Sequence, residues 1–220
     1  MIKIEKVTVY GWEAAIRGLR NPYNSWDRSD SVFDPELNIG PNDLELMKRM
    51  NISPEQSKYR RMITVTFDTV APLYWYKEMD TYKVGTVCDS CSTMHKIHAK
   101  EFVLDDFSHE HLFNGLPDSY DENDGENQYY ENPTTCLSYI INLLNYYRKK
   151  YIETLDPRYW WQMIQLLPSS YNQRRTYQVN YEVLAQIHRQ RGNHKLDEWR
   201  EFCKWIRTLP YSEIITKRSK

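Results

Sequence analysis

A change of hydrophobic period at Met62 constrains this chain more than any other feature. Ile63, Val65 and Phe67 fall on one face while Thr64, Thr66 and Asp68 fall on the other, the two-residue repeat of a half-buried strand. Ala71-Pro72 closes that strand and opens a run, PLYWYKEMDTY, with helical character, followed by a polar loop that reaches His98. A second, less regular alternation of Ile2, Ile4, Val7 and Val9 with Lys and Glu predicts a strand over residues 2–9. Gly11 then opens a short helix that Asn21-Pro22 stops, and Tyr23 to Pro35 is polar enough to read as loop. Pro41-Asn42-Asp43 can start a helix carrying Leu44, Leu46, Met47 and Met50, and Ser53-Pro54-Glu55 can start another.

The C-terminal half is read as helical. Asn132-Pro133 begins a helix whose stripe is Leu137, Ile140, Ile141, Leu144 and Tyr147, with Arg148-Lys149-Lys150 beyond it. Further helices are expected around Pro157 to Leu167, Thr176 to Arg191 and Leu196 to Leu209. Residues 116–132 carry a block of acids and no apolar period, which predicts an exposed mobile loop. Strands near the start and helices throughout imply an α/β (α+β) architecture. With 220 residues and no linker-like segment, a single domain over 1–220 is expected.

Charge narrows the function classes. Lys and Arg total 29 against 30 Asp and Glu, so no global field favours nucleic acid or an anionic membrane. No apolar run approaches the ~20 residues of a membrane span and the N-terminus is strand-like, so a cytoplasmic protein is expected. Only 7 glycines are present and neither GxGxxG nor GxxxxGK[ST] occurs, which removes the usual glycine turns for holding a pyrophosphate.

Several constellations can carry chemistry. Cys88, Cys91, His95 and His98 have zinc-compatible donors, but only three residues separate the pairs, too few to close a structural zinc loop, so no metal site is expected. The Cys-x-x-Cys pair lacks a thioredoxin-like context and reads as two thiols beside a binding site. The 18 Tyr and 7 Trp, clustered as Tyr74-Trp75-Tyr76, Tyr129-Tyr130, Tyr146-Tyr147 and Tyr159-Trp160-Trp161, suit either a pocket for planar heterocycles or core and subunit interfaces. Arg60-Arg61 and Arg174-Arg175 are local cation pairs able to hold phosphate. Asn180 and Arg191 lie eleven positions apart, close to three helical turns, so a continuous helix would set an amide and a guanidinium on one face.

Two blocks together resemble the flavin-dependent thymidylate synthases, the ThyX family. In that family a strand and Ala-Pro lead into a helix that ends in Arg-His-Arg, and after seven intervening residues comes a Ser. Here the strand, Ala71-Pro72 and the helix are present, Thr81-Tyr82-Lys83 stand in place of Arg-His-Arg, and Ser92 takes the place of the serine after one insertion. The second block is Leu167-Pro168, Asn180, Arg191 and the segment HKLDEW from His194, in the family's order.

The resemblance implies a central, mostly antiparallel sheet surrounded by helices, and a homotetramer with shared sites. It also implies transfer of a one-carbon unit from methylenetetrahydrofolate to C5 of dUMP or a related pyrimidine nucleotide, as a methyl or hydroxymethyl group, with FAD as cofactor and NADPH as reductant. By resemblance Arg191 is the catalytic residue that contacts the pyrimidine, with Glu78 and Ser92 beside the nucleotide, while Thr81, Tyr82, Lys83, Asn180, Glu182 and Gln186 face FAD. Of Arg-His-Arg only Lys83 keeps a charge, Met94 stands where a further arginine is expected, and QMIQL replaces another. A lysine cannot copy an arginine's two-point phosphate clamp, so Arg174, Arg175 and Lys96 are the candidates to compensate, and a noncatalytic nucleotide-binding or interaction protein is the alternative.

Overall fold

The computed structural model describes residues 2–53, 55–115 and 132–216. Its elements in chain order are β1 (Lys3–Tyr10), α1 (Trp12–Arg20), α2 (Pro41–Arg49), β2 (Thr64–Pro72), α3 (Leu73–Met79), β3 (Thr86–Ser90), α4 (Thr93–Lys96), α5 (Pro133–Thr154), α6 (Pro157–Leu166), β4 (Asn172–Asn180), α7 (Tyr181–Arg191), α8 (Asp197–Ile206) and α9 (Glu213–Thr216). Short 3-10 turns lie at Asn21–Tyr23, Trp26–Arg28, Gln56–Arg61 and Leu104–Asp106. Of the acidic loop expected at 116–132, residues 116–131 lie outside the described residues, as does Pro54. The chain divides into two compact units. A sheet unit comprises Ile2–Val70, Trp75–Ser90 and Arg174–Lys220, and a helical unit comprises Ala71–Tyr74 and Cys91–Gln173.

The antiparallel sheet has strand order β1-β2-β4-β3. β1 runs against β2 from Lys3↔Val70 to Tyr10↔Thr64, with a bulge between Glu5 and Thr8, and β3 runs against β4 from Thr86↔Val179 to Ser90↔Arg175. The expected alternation of β2 is realised, because Val65 and Phe67 are buried while Thr64, Thr66 and Asp68 are only partly so. Tyr177 and Val179 of β4 are buried as well, and Phe67 stacks on Tyr177 at 5.7 Å between ring centroids. Trp75, Trp199, Phe202 and Trp205 extend this cluster, with Trp75 and Trp199 4.8 Å apart and Phe67 and Trp205 4.8 Å apart. In the sheet unit, much of the aromatic excess is therefore core.

Two expectations need correction. The helix expected over Thr176 to Arg191 begins only at Tyr181, because Gln173, Tyr177 and Val179 are buried on a two-residue period and residues 172–180 pair as β4. The polar loop expected up to His98 contains β3, whose exposed Val87 to Ser90 follow an edge strand's pairing with little of its burial.

Two local devices set the entry to the sheet. Gly11 has φ +88°, and a Cβ there would sit 2.1 Å from the Met62 carbonyl oxygen, so only glycine joins β1 to α1 at this angle. Asp43 is fully buried and accepts from Arg20 Nε at 2.6 Å, Ser29 Oγ at 2.7 Å, Ser31 Oγ at 2.6 Å and the Asp30 amide at 3.2 Å. Burial alone would raise its pKa, but the hydrogen bonds from Ser31, Ser29 and Arg20 outweigh that and hold it below the usual carboxylate range. This network pins the polar segment after α1 to α2. Asp30 in turn caps α2 by accepting from the amides of Asn42 at 2.9 Å and Asp43 at 3.1 Å.

The helical unit is built on α5 and α6. Asn132 caps α5 through Thr135 N at 2.9 Å and Asp156 caps α6 through Arg158 N at 2.9 Å, each with proline next in sequence. Leu137, Ile141 and Leu144 of α5 and Met163 of α6 bury against Ile97, Phe102 and Phe107. The Asn145 side chain clasps the Phe102 backbone with two bonds of 2.8 Å, satisfying its amide and carbonyl together.

Candidate functional site

Glu78 is the hub of a polar cluster in the sheet unit. It lies in the last turn of α3, and Thr81 N and Tyr82 N donate to the carbonyls of Glu78 and Met79, so the chain turns tightly and brings Tyr82 back towards the helix. Glu78 Oε2 accepts from Trp199 Nε1 at 2.7 Å, lies 2.8 Å from Arg191 Nη1 and 3.3 Å from His194 Nε2. Arg191 Nε donates to the Tyr82 hydroxyl at 3.0 Å, and that hydroxyl donates to Gln190 Oε1 at 2.9 Å. The guanidinium carbon sits 5.0 Å from the Trp199 ring and 5.8 Å from the Tyr82 ring, within reach of both π faces.

His194 completes the network. Its Nδ1 accepts from the Leu196 amide at 3.2 Å, which leaves the ring proton on Nε2, the nitrogen facing Glu78. Trp199 is fully buried, Tyr82 is 7 % exposed and the Arg191 side chain is 22 % exposed. A guanidinium held at Nε and Nη1 and walled by two rings has a fixed direction with one nitrogen to spare. Arg191 and Glu78 together offer a donor beside an acceptor, the complement of the carbonyl and N–H edge of a uracil ring.

The remaining expected residues are placed differently. Thr81 donates its hydroxyl to the Glu78 carbonyl at 2.7 Å, and Lys83 is exposed just beyond Tyr82. Asn180 caps α7, its Oδ1 accepting from Val183 N at 3.0 Å, and its amide nitrogen packs so closely under Gly85 that a Cβ there would lie 2.5 Å away. Glu182 is paired with Arg60 at 3.2 Å and accepts from Ser57 Oγ at 3.3 Å. Gln186 is exposed on the middle of α7. Ser92 belongs to the helical unit, where its Oγ accepts from His95 N at 3.2 Å and lies 2.7 Å from His95 Nδ1. The structure thus gathers Glu78, Tyr82 and Arg191, while Asn180 and Glu182 start the same helix that Arg191 ends, about 16.5 and about 13.5 Å away at 1.5 Å per residue.

Arg174 is bonded to Glu5 at 3.0 Å and Asp68 at 3.1 Å, and Arg175 to Asp80 at 2.8 Å while lying 3.9 Å over the Tyr76 ring. Both candidate compensating arginines are therefore engaged by carboxylates. Among the described residues no group of three His, Cys, Asp or Glu side chains is arranged to hold a metal ion. Gln190, His194 and Trp199 join the Glu78 cluster although the sequence assigned none of them a role. Their one advance signal is proximity to Arg191 in sequence, with His194 and Trp199 inside the second block.

No protein-family profile matches the chain, and no curated protein matches it by sequence. Solved structures do. Thymidylate synthase X from Helicobacter pylori, crystallised with FAD and dUMP, superposes with a TM-score of 0.66 at 16% identity, covering 98% of this chain and 97% of that one. PolB, a UMP/dUMP methylase from Streptomyces cacaoi bound with 5-Br UMP, gives a TM-score of 0.59 at 11% identity over 98% and 93% of the two chains. The fold is therefore ThyX-like: an antiparallel sheet with helices around it. At these identities the likeness carries the fold alone.

Proposed function

We propose that this chain binds a pyrimidine nucleotide, dUMP or a close relative, and acts as a divergent ThyX-like enzyme that methylates or hydroxymethylates the base at C5. The observation that carries this reading is the fixed Arg191–Glu78 pair, in a fold that its solved neighbours use for dUMP and UMP. A guanidinium held in place beside a uracil carbonyl stabilises the negative charge that develops when the ring becomes nucleophilic at C5. Glu78 accepts from the ring N–H, and Tyr82 keeps Arg191 from swinging away. Ser92 is assigned to the nucleotide on the resemblance only. In this reading the protein works as a homotetramer, with methylenetetrahydrofolate as one-carbon donor and NADPH as reductant.

FAD, the cofactor such chemistry requires, fits this chain's residues poorly. A flavin dinucleotide carries two adjacent phosphates, and of Thr81, Tyr82, Lys83, Asn180, Glu182 and Gln186 only Lys83 is cationic, while Glu182 is anionic. The Tyr82 hydroxyl and the Asn180 carbonyl oxygen are already bonded within the protein, and Arg174 and Arg175 are engaged elsewhere. The same observation favours a second reading, a noncatalytic nucleotide-binding protein on the same scaffold.

The deciding assay is release of tritium from C5-labelled dUMP with FAD, NADPH and methylenetetrahydrofolate supplied. Turnover above a no-enzyme control supports the transferase. dUMP binding with neither turnover nor flavin uptake establishes the noncatalytic reading in its place.

A further inference from the structure

A cavity of about 350 Å³ opens in the sheet unit, lined by residues 51–53, the 3-10 turn Gln56–Arg61, α7 and α9. That volume lies within the range of small-molecule sites. Among its polar lining residues Arg60 and Glu182 form an ion pair, and Arg189 adds a second cation. The Arg60 side chain is 7 % exposed, and its Nε is buried with no hydrogen-bond partner among the described residues. Arg60 Nη1 holds Glu182, whose side chain is 22 % exposed and lines the cavity as its carboxylate acceptor. Glu182 Oε2 is 3.2 Å from Arg60 Nη1 and accepts from Ser57 Oγ. Ile52, Ala185 and Ile215 supply apolar walls, and His188 accepts from Arg207 Nε at 3.2 Å. Burial, with Arg207 beside it, holds the His188 pKa below its ordinary value.

An acceptor pair on a carboxylate next to an arginine donor has a specific complement. A ring bearing a 2-amino group, N3–H and a 4-oxo group presents two donors and then one acceptor along a single edge. The carboxylate accepts from the amino group and N3–H, and the guanidinium donates to the oxo oxygen. A uracil or flavin ring offers only one such donor, flanked by oxo groups that repel the carboxylate. We propose that this cavity binds a 2-amino-4-oxo-pyrimidine ring, as found in pterins and in guanine, through Glu182 and Arg60. The assignment rests in one respect on the reading above, because the folate donor of that reading carries such a ring. It moves Glu182 from the expected flavin set to a separate heterocycle site.

Calorimetric titration of the full-length protein with pterin, guanosine and lumazine tests this directly. Lumazine is the same ring as pterin with a 2-oxo group where pterin has 2-amino. Pterin should bind at least about tenfold more tightly than lumazine, the cost of one charge-assisted hydrogen bond. Guanosine binding with the same advantage over lumazine also supports the site and identifies a purine as its source. Glu182→Gln should close the gap between pterin and lumazine, because the amide can donate to the 2-oxo group. Equal affinities for pterin and lumazine in the wild type, or no binding of any of the three, would overturn the proposal without recourse to a variant. A dUMP titration of the same wild-type sample reports separately on the pyrimidine site. dUMP binding without ring discrimination removes only this inference, and ring discrimination without dUMP binding removes only the function proposed above.

Discussion

Arg191 was legible as a candidate from its position in a family-like block, but its partners were not. Glu78, Tyr82 and Trp199 reach it from α3, the turn after α3, and α8. No local period records such a meeting. Trp199 stands in the sequence as the last residue of the HKLDEW segment, yet its indole N–H is committed to Glu78 at 2.7 Å. Trp199→Phe keeps the ring packing and deletes that donor, so urea denaturation should show a loss of about 1.5–3 kcal/mol, the usual value of a hydrogen bond to a charged group. A change within 0.5 kcal/mol would mean the bond is not made.

Asp43 offers a second residue-level test. Asp43→Asn leaves Arg20 buried without its counter-charge and should cost about 3–5 kcal/mol. The sign of the pH effect follows from the depressed pKa. The folded protein holds the proton less tightly than the unfolded chain, so the contribution of Asp43 is complete above the ordinary carboxylate value. It is lost as pH falls through the lower, folded value. Stability measured from pH 6 down to pH 2 should therefore fall less steeply in the variant than in the wild type, and parallel curves would contradict the assignment.

At the level of elements, β1, α1, α2, β2, α3 and α5 follow closely from period and punctuation. Gly11, Pro41, Ala71-Pro72 and Asn132-Pro133 each mark a boundary the structure keeps. β3 and β4 escaped because neither reads as apolar alternation. β3 is an edge strand with exposed side chains, and β4 carries Gln173, Arg175 and Tyr177 where Val or Ile would have announced a strand. The same ambiguity misplaced Asn180, which is the N-cap of α7 and not a residue on its face. Asn180→Ala should lower stability by about 1 kcal/mol through loss of the cap. Its melting temperature, read with and without FAD, separates the two roles: a destabilisation independent of flavin is expected, and a loss of flavin binding at unchanged stability would restore the cofactor assignment.

For the molecule as a whole, the ThyX-like fold was reached from two blocks covering about a third of the chain, and the solved structures extend the likeness over 98% of it. What sequence could not convey is how the chain neutralises its own cations, since Arg174, Arg175 and Arg60 each meet a carboxylate distant in sequence. No described helix is long and apolar enough to cross a membrane. Tyr139, Tyr146 and Trp161 of the helical unit are each more than half exposed, a density of large rings that suits subunit contacts. Light scattering should report about four times the 26.6 kDa chain mass, and a stable monomer at micromolar concentration would remove the shared-site arrangement.

The central claim is that Arg191, aimed by Glu78 and Tyr82, meets a pyrimidine. Calorimetric titration of dUMP into wild type, Arg191→Ala and Arg191→Lys tests it most directly. The account predicts saturable binding to the wild type, a loss of roughly 1.5–3 kcal/mol in Arg191→Ala as one charge-assisted contact disappears, and little recovery in Arg191→Lys, because an ammonium cannot hold Tyr82, Glu78 and the ring together. Equal affinity of all three proteins for dUMP would contradict it.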